Sequence, residues 1–277
     1  MCADAPNEFE QHSFLCPWRT FVPMYTLKKS LGQHFLKDEN VCRKIVDALQ
    51  QCPFTHLLEV GPGGGALTKY LVELPGVTFK AVELDDEKVV YLKQQYPVLE
   101  DKIIHQSFLD IEKPFDEPFT VVGNFPYNIS TQILFKILEW EGGVECVIGM
   151  FQKEVALRVA AKEGSKIYGV ISVLVQAYFN VEYLFEVHEK SFSPPPKVKS
   201  AVIRLVPLKK KKEMRDDLSF TKLVKAAFNQ RRKTLRNAVR DLFDPVVLQE
   251  EIFNKRAEQL SVEQFGQLSF KMKLDRI

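Results

Sequence analysis

Short apolar runs rich in β-branched and aromatic residues recur through the first three quarters of the chain, at 57–60, 78–84, 102–106, 120–123, 145–151, 178–187 and 201–208. Between the earlier runs the apolar positions fall every three to four residues, over 39–50, 66–74, 86–95 and 131–139. Strands alternating with helices predict a parallel sheet covered on both faces, because each crossover lays a helix over it. The last two runs are long and alternate more clearly, and only "HEKSFSPPPKVKS" joins them. They predict an antiparallel pair at one edge. The expectation is an α/β domain over residues 24–208 with seven strands, five wound and two paired.

Beyond Pro207 the pattern changes. "LKKKKEMRDDLS" reads as a charged linker, and helical periodicity without strands follows it, predicting a small all-α domain over 209–277. Its first helix is read with Phe228, Leu235, Val239 and Leu242 as an apolar stripe, and with Arg232, Arg236 and Arg240 at i, i+4 and i+8 on another face. Residues 1–23 lie outside the patterned chain. They carry Asp4, Glu8 and Glu10 against Arg19, unlike a signal or transit peptide, and are read as a disordered extension.

Composition narrows the class only a little. Hydrophobic and charged fractions of 45% and 27% are those of an ordinary soluble chain, and no stretch approaches the ~18–20 apolar residues of a membrane span. A net charge of +2 decides nothing until its distribution is considered. The five cysteines show no zinc spacing, so no metal is expected and reduced structural thiols in a cytoplasmic protein are.

The chemistry begins at "LLEVGPGGGALTKYL", a strand, a glycine turn and a helix. Gly61-x-Gly63-x-x-Ala66 fits a nucleotide-binding turn in which backbone approaches ligand closely. Glu83 follows about 20 residues later at the end of the next strand, where a carboxylate accepts from ribose hydroxyls. Either a nicotinamide dinucleotide or S-adenosylmethionine satisfies this pattern. Glu59, inside the strand where a pyrophosphate binder prefers an apolar residue, tilts the choice toward S-adenosylmethionine.

"GNFPYNIS" tilts it further. An adenine N6 amine is a poor nucleophile because its lone pair is delocalised into the ring. As it attacks a methyl sulfonium its protons need acceptors, which the Asn124 amide oxygen and the Pro126 carbonyl are expected to supply. Tyr127 provides a ring on which an extruded base stacks. The motif falls at the C-terminal end of the fourth strand, where open α/β sheets place their sites.

In these motifs the chain resembles the ribosomal small-subunit RNA adenine dimethyltransferases, relatives of the erythromycin-resistance rRNA methylases. The likeness is carried, in order, by "KKSLGQHFL", "EVGPGGGALT", "GNFPYNIS", "FSPPPKVKSAVIRL", "FNQRRKTLRNAV" and "RAEQLSVEQFGQLS". It implies a Rossmann-like class I methyltransferase sheet and S-adenosyl-L-methionine as cofactor, with S-adenosyl-L-homocysteine as product. It further implies N6,N6-dimethylation of two adjacent adenosines in the 3′-terminal hairpin of small-subunit rRNA, late in assembly of the 30S subunit, by a monomer. By position, His34 and Leu36 are implied at the methionyl end, Gly61 and Gly63 along the ribose and methionyl region, and Glu83 on the ribose. Asn124 would touch both cofactor and target amine, and Phe192 would grip the flipped base with Tyr127. Ser107 aligns where the family has an acid that accepts from the cofactor adenine, and Asp110 is the nearby alternative.

Basic residues outside the core, namely Lys28, Lys29, the 209–212 lysines, Arg231, Arg232, Lys233, Arg236 and Arg240, are read as phosphate contacts. Residues 222–240 carry basic side chains and no acid. The rival readings are a nicotinamide oxidoreductase, a large-subunit rRNA adenine methylase, and an assembly factor that binds without catalysis.

Overall fold

The computed structural model describes residues 34–52 and 54–273, so residues 1–23, Lys28 and Lys29 lie outside the described residues. A two-residue strand, β1 (Phe35–Leu36), leads into α1 (Glu39–Gln50). Asp38 caps α1, its carboxylate accepting from the amides of Asn40 at 3.1 Å and Val41 at 3.4 Å. Cys42, Ile45, Val46 and Leu49 line the buried face at helical spacing.

Five strands are interleaved with helices where the periodicity predicts them, with β4 leading to β5 through a loop: β2 (His56–Val60), α2 (Thr68–Leu71), β3 (Thr78–Glu83), α3 (Asp86–Gln95), β4 (Ile103–His105), β5 (Phe119–Asn124), α4 (Ser130–Glu139) and β6 (Val144–Gln152). Then come α5 (Lys153–Val159) and α6 (Val170–Gln176), followed by β7 (Phe179–Val187), a short β8 (Phe192–Ser193) and β9 (Ser200–Pro207). The large sheet has seven strands in the order β4-β3-β2-β5-β6-β9-β7. β2 through β6 pair in parallel, and β9 runs antiparallel to both β6 and β7, which is the expected edge pair. The chain moves outward from β2 to β3 and β4, then returns across β2 to β5 and β6. The order therefore reverses between β2 and β5, and a crevice opens there at the C-terminal strand ends.

β1 and β8 pair antiparallel, with Leu36 opposite Phe192 and Phe35 opposite Ser193. Lys37 N–H donates to the Ser191 carbonyl at 2.9 Å, and Ser191 Oγ donates to the Asp38 carboxylate at 3.0 Å. These bonds clip the segment before α1 onto the connection between β7 and β9, across the mouth of the crevice.

Buried side chains cover both faces of the sheet. One set gathers Leu58, Val121, Phe125, Phe151 and Ile203 beneath α4, and the other gathers Leu57, Ala81, Val122, Ile148 and Val202 beneath α1. A third core joins α7 (Asp217–Asn229), α8 (Leu235–Ala238) and α9 (Val262–Ser269). It includes Phe220, Leu223, Phe243 and Phe265, but also Tyr168, Val173, Leu174 and Ala177 in and around α6.

Three expectations need correction. No single helix carries Phe228 through Leu242: α7 ends at Asn229, Lys233 N–H closes a turn on the Gln230 carbonyl, and Thr234 starts α8 from an extended conformation. Arg232, Arg236 and Arg240 thus do not share one helix face. The lysine run is also not a free cationic patch. Lys210 pairs with Glu213, Lys211 bridges Glu141 and Asp217 while lying over the Tyr178 ring, and Lys212 pairs with Glu263. Finally, Cys52 and Cys146 form a disulfide with Cα atoms 6.5 Å apart, although reduced thiols are read from the sequence. They are 94 residues apart, and only the packing of the α1 end against β6 reveals their proximity.

Candidate active site

At the crevice lies a cavity of about 500 Å³. The turn after β2 forms one wall, and Gly61 and Gly63 adopt positive φ values of 66° and 55° there. A Cβ on Gly63 would stand 3.0 Å from the Phe35 ring, so the turn needs glycine for space as well as for conformation.

Glu83 closes the end of β3. One carboxylate oxygen accepts from Gly63 N–H at 3.0 Å, and the other accepts from Leu84 at 2.9 Å and Asp85 at 3.0 Å. Burial raises its pKa, and these three amides oppose that rise. The carboxylate is thereby fixed in orientation and locked to the glycine turn. Glu59, two residues before Gly61, is 1% exposed and accepts from Thr68 Oγ1 at 2.8 Å. Burial pushes its carboxyl up to about 8; the Thr68 hydroxyl resists this shift and the charge of Glu83 adds to it.

The opposite wall is the segment after β5. Asn124 Nδ2 donates to the His34 carbonyl at 3.0 Å, which fixes the amide and leaves its oxygen as the acceptor on the cavity side. His34 in turn places Nδ1 2.9 Å from the Pro194 carbonyl and its ring 5.5 Å from that of Tyr127. The Tyr127 hydroxyl is hydrogen-bonded to Ser200 in β9, holding the half-buried ring at the rim.

Pro126 corrects the sequence reading. Its carbonyl accepts from Ile129 N–H at 3.3 Å and shares the Ser130 hydroxyl with the Tyr127 carbonyl, each at 3.1 Å, so it is engaged in the turn that starts α4. The Phe125 carbonyl takes no hydrogen bond among the described residues. It is anchored by a buried ring in edge contact with Phe151 at 5.0 Å. Beside the Asn124 amide, the backbone carbonyl left without a hydrogen bond among the described residues is therefore that of Phe125, one residue before the proline to which the motif points.

His34, Leu36, Gly61, Gly63, Glu83, Ser107, Asn124, Pro126 and Tyr127 all line this one cavity. Ser107 Oγ accepts from Leu109 N–H at 3.2 Å, whereas Asp110 is not on the wall. Phe192 does not join them: it is fully buried behind β1, packed with Leu36 and Val187, and is not paired with Tyr127. Alternation in the short β8 turns its side chain inward. Sequence reasoning also missed Phe108, Tyr91 and Tyr96, which line the cavity from segments without a motif.

Among the basic residues, Arg231 donates to the carbonyls of Lys166 at 2.7 Å and Tyr168 at 3.3 Å, and Arg236 donates to that of Leu248 at 2.9 Å. Arg232 and Lys233 are exposed. The Arg231 contacts bring the 162–168 loop to the 230–234 turn, and Leu235 N–H bonds the Lys255 carbonyl at 2.7 Å. Lys162, Lys166, Lys255 and Arg256, all exposed, thus lie on segments tied to the turn that carries Arg232 and Lys233, with the exposed Glu163 among them.

The sequence model of a family described as ribosomal RNA adenine dimethylase matches residues 24–273. A curated protein of Phocaeicola vulgatus, ribosomal RNA small subunit methyltransferase A, is 50% identical over 247 residues, covering 87% of this chain and 88% of its own length. A protein of the same name from Bacteroides thetaiotaomicron is 51% identical over 247 residues, covering 87% and 92%. Among solved structures, a dimethyladenosine transferase from Plasmodium falciparum superposes with a TM-score of 0.72 at 22% identity, covering 87% of this chain and 100% of that one. At that identity the likeness speaks for the fold, the seven-stranded class I methyltransferase sheet.

Proposed function

The chain belongs to the ribosomal RNA adenine dimethylase family, and from that premise we propose how its cavity and exposed basic residues carry out the reaction. It is an S-adenosylmethionine-dependent rRNA adenine-N6 dimethyltransferase of the small-subunit type. The cavity fits an adenosyl methyl donor: a glycine turn permits close backbone approach, and a carboxylate held by three amides stands ready for ribose hydroxyls. Bound there, the cofactor supplies an electrophilic methyl group.

Everything else falls to the protein. Glu83 orients the ribose, Gly61 and Gly63 give the ligand room, and Ser107 offers its hydroxyl to the adenine edge. His34 and Leu36 cover the methionyl end. The Asn124 amide oxygen and the Phe125 carbonyl accept the protons of the target amine as positive charge develops on nitrogen. Their fixed orientation is the observation that carries this reading, because acceptors already in place need no reorganisation during attack. Tyr127, pinned through Ser200 and stacked toward His34, forms the platform for the extruded adenine. No general base is required, since the methylated amine is acidic enough to lose its proton to solvent.

Residues 209–277 act as the RNA-binding unit. Arg232, Lys233, Lys162, Lys166, Lys255 and Arg256 supply phosphate contacts, while Arg231 and Arg236 hold the loops that present them. The targets are two adjacent adenosines in the 3′-terminal hairpin of the small-subunit rRNA, in cytoplasmic subunits late in assembly. No helix among the described residues is long and apolar enough to cross a membrane. Methyl transfer from labelled S-adenosylmethionine to small subunits lacking the modification, followed by base analysis, tests the reading. It predicts N6,N6-dimethyladenosine at two neighbouring positions; label elsewhere, or only in large-subunit rRNA, refutes it.

A further inference from the structure

Two carboxyl side chains sit at the ends of neighbouring parallel strands and reach the same cavity: Glu59 near the end of β2 and Glu83 at the end of β3. Among the described residues Glu83 is matched by three amides, whereas Glu59 receives one hydroxyl, that of Thr68. The groups facing Glu59 can be followed element by element. α2 presents Thr68, β3 presents Glu83, and the Tyr96 phenol approaches from the end of α3. Lys69 and Glu39 also reach the cavity wall, but they close on each other at 2.5 Å. Among the described residues the surroundings of Glu59 thus offer a hydroxyl and a second carboxylate, which is no environment for a buried negative charge.

We infer that Glu59 is a proton-exchanging counter-charge for the methyl donor: neutral before binding, it gives its proton to solvent when a cationic nucleoside enters the cavity. The inference rests on the reading of this cavity as a methyl-donor site. Burial raises Glu59 from an ordinary 4.5 to about 8, so the ligand-free folded protein holds a proton that the unfolded chain has released. Between those two values the stability of the ligand-free protein falls as pH rises. A positive charge placed in the cavity favours the carboxylate, and affinity for a cation therefore rises with pH across the same window, by up to about tenfold per pH unit. The reaction turns a sulfonium into a neutral thioether. When that charge is lost, Glu59 takes a proton back, and the site favours donor over spent product.

Calorimetric titration of the full chain near pH 7, in phosphate and in Tris buffers of different ionisation enthalpy, counts the protons exchanged. S-adenosylmethionine is expected to release close to one proton per site, and uncharged 5′-methylthioadenosine none. Glu59→Gln, which separates the carboxyl from the ligand's own ionising amine, is expected to abolish the Glu59 share. Thr68→Val removes the hydroxyl that lowers the Glu59 pKa and should move the linkage to higher pH, an independent test should Glu59→Gln fold poorly. Binding of S-adenosylmethionine without buffer dependence, equal proton release by methylthioadenosine, or an unchanged count in a folded Glu59→Gln protein overturns the inference and leaves the methyl-donor reading standing. A failure to bind S-adenosylmethionine at all overturns both.

Discussion

Replacing Asn124 with alanine separates two jobs done by one side chain. The amide nitrogen donates to the His34 carbonyl at 3.0 Å, a partly buried bond worth about 1 kcal/mol to the fold. For a domain of this size that loss lowers the melting temperature by about 2–4 °C. On the proposed reading the oxygen, on the cavity side, serves only as charge develops on the target amine. Loss of one such preorganised group costs about 2.7–4 kcal/mol, or 10²–10³ in kcat. Cofactor affinity, resting mainly on Glu83 and the glycine turn, should change by less than about tenfold. Single-turnover transfer of labelled methyl groups to undermodified small subunits gives the rate, calorimetry gives the affinity, and thermal unfolding gives the stability. A folded Asn124→Ala enzyme within tenfold of the wild-type rate would remove Asn124 from the chemistry and leave it a strut for the His34 segment.

Four further outcomes are expected. Glu83→Gln sets an amide N–H against one of the three backbone donors that the carboxylate now accepts, and S-adenosylmethionine affinity should fall about 100-fold by calorimetry; a loss under tenfold contradicts the assignment. Arg231→Ala should cost about 1–3 kcal/mol of stability through the two carbonyls it abandons. Arg232→Ala with Lys233→Ala should leave melting unchanged and reduce the salt dependence of RNA binding by about one in log–log slope per lost contact, and the opposite pattern refutes the division of labour. Ser107→Asp replaces a weaker acceptor with a charged one and should tighten S-adenosylmethionine binding several-fold, an idea that ends with equal or weaker binding.

The sheet was legible because its central strands, buried on both faces, read as short continuous apolar runs, while the early helices have one buried side each. The periodicity over 39–50 and 86–95 matches α1 and α3 to the residue. α6 was not legible. Its "VISVLVQ" is rich in β-branched residues, and Ile171 and Val175 face the sheet core while Val173 and Leu174 face the C-terminal core. A helix buried on two sides has no polar stripe to reveal its period. The cavity walls were readable wherever a motif fixes the backbone, as at Gly61, Glu83 and Asn124. They were unreadable where side-chain direction depends on a two-residue strand, as at Phe192, or on which carbonyl a turn consumes, as at Pro126. The lysines at 210–212 show the same limit for charge: sequence reports their sign, and only the fold reports the acids beside them.

The shared core around α6 means that the C-terminal helices cannot be cut off at residue 208 and used as a cassette. A chain ending there would leave Tyr168, Val173, Leu174 and Ala177 facing water, and a transplanted tail would carry the matching bare surface. Chimeras that exchange the C-terminal helices between relatives must carry α6 with them, because one buried core spans the join.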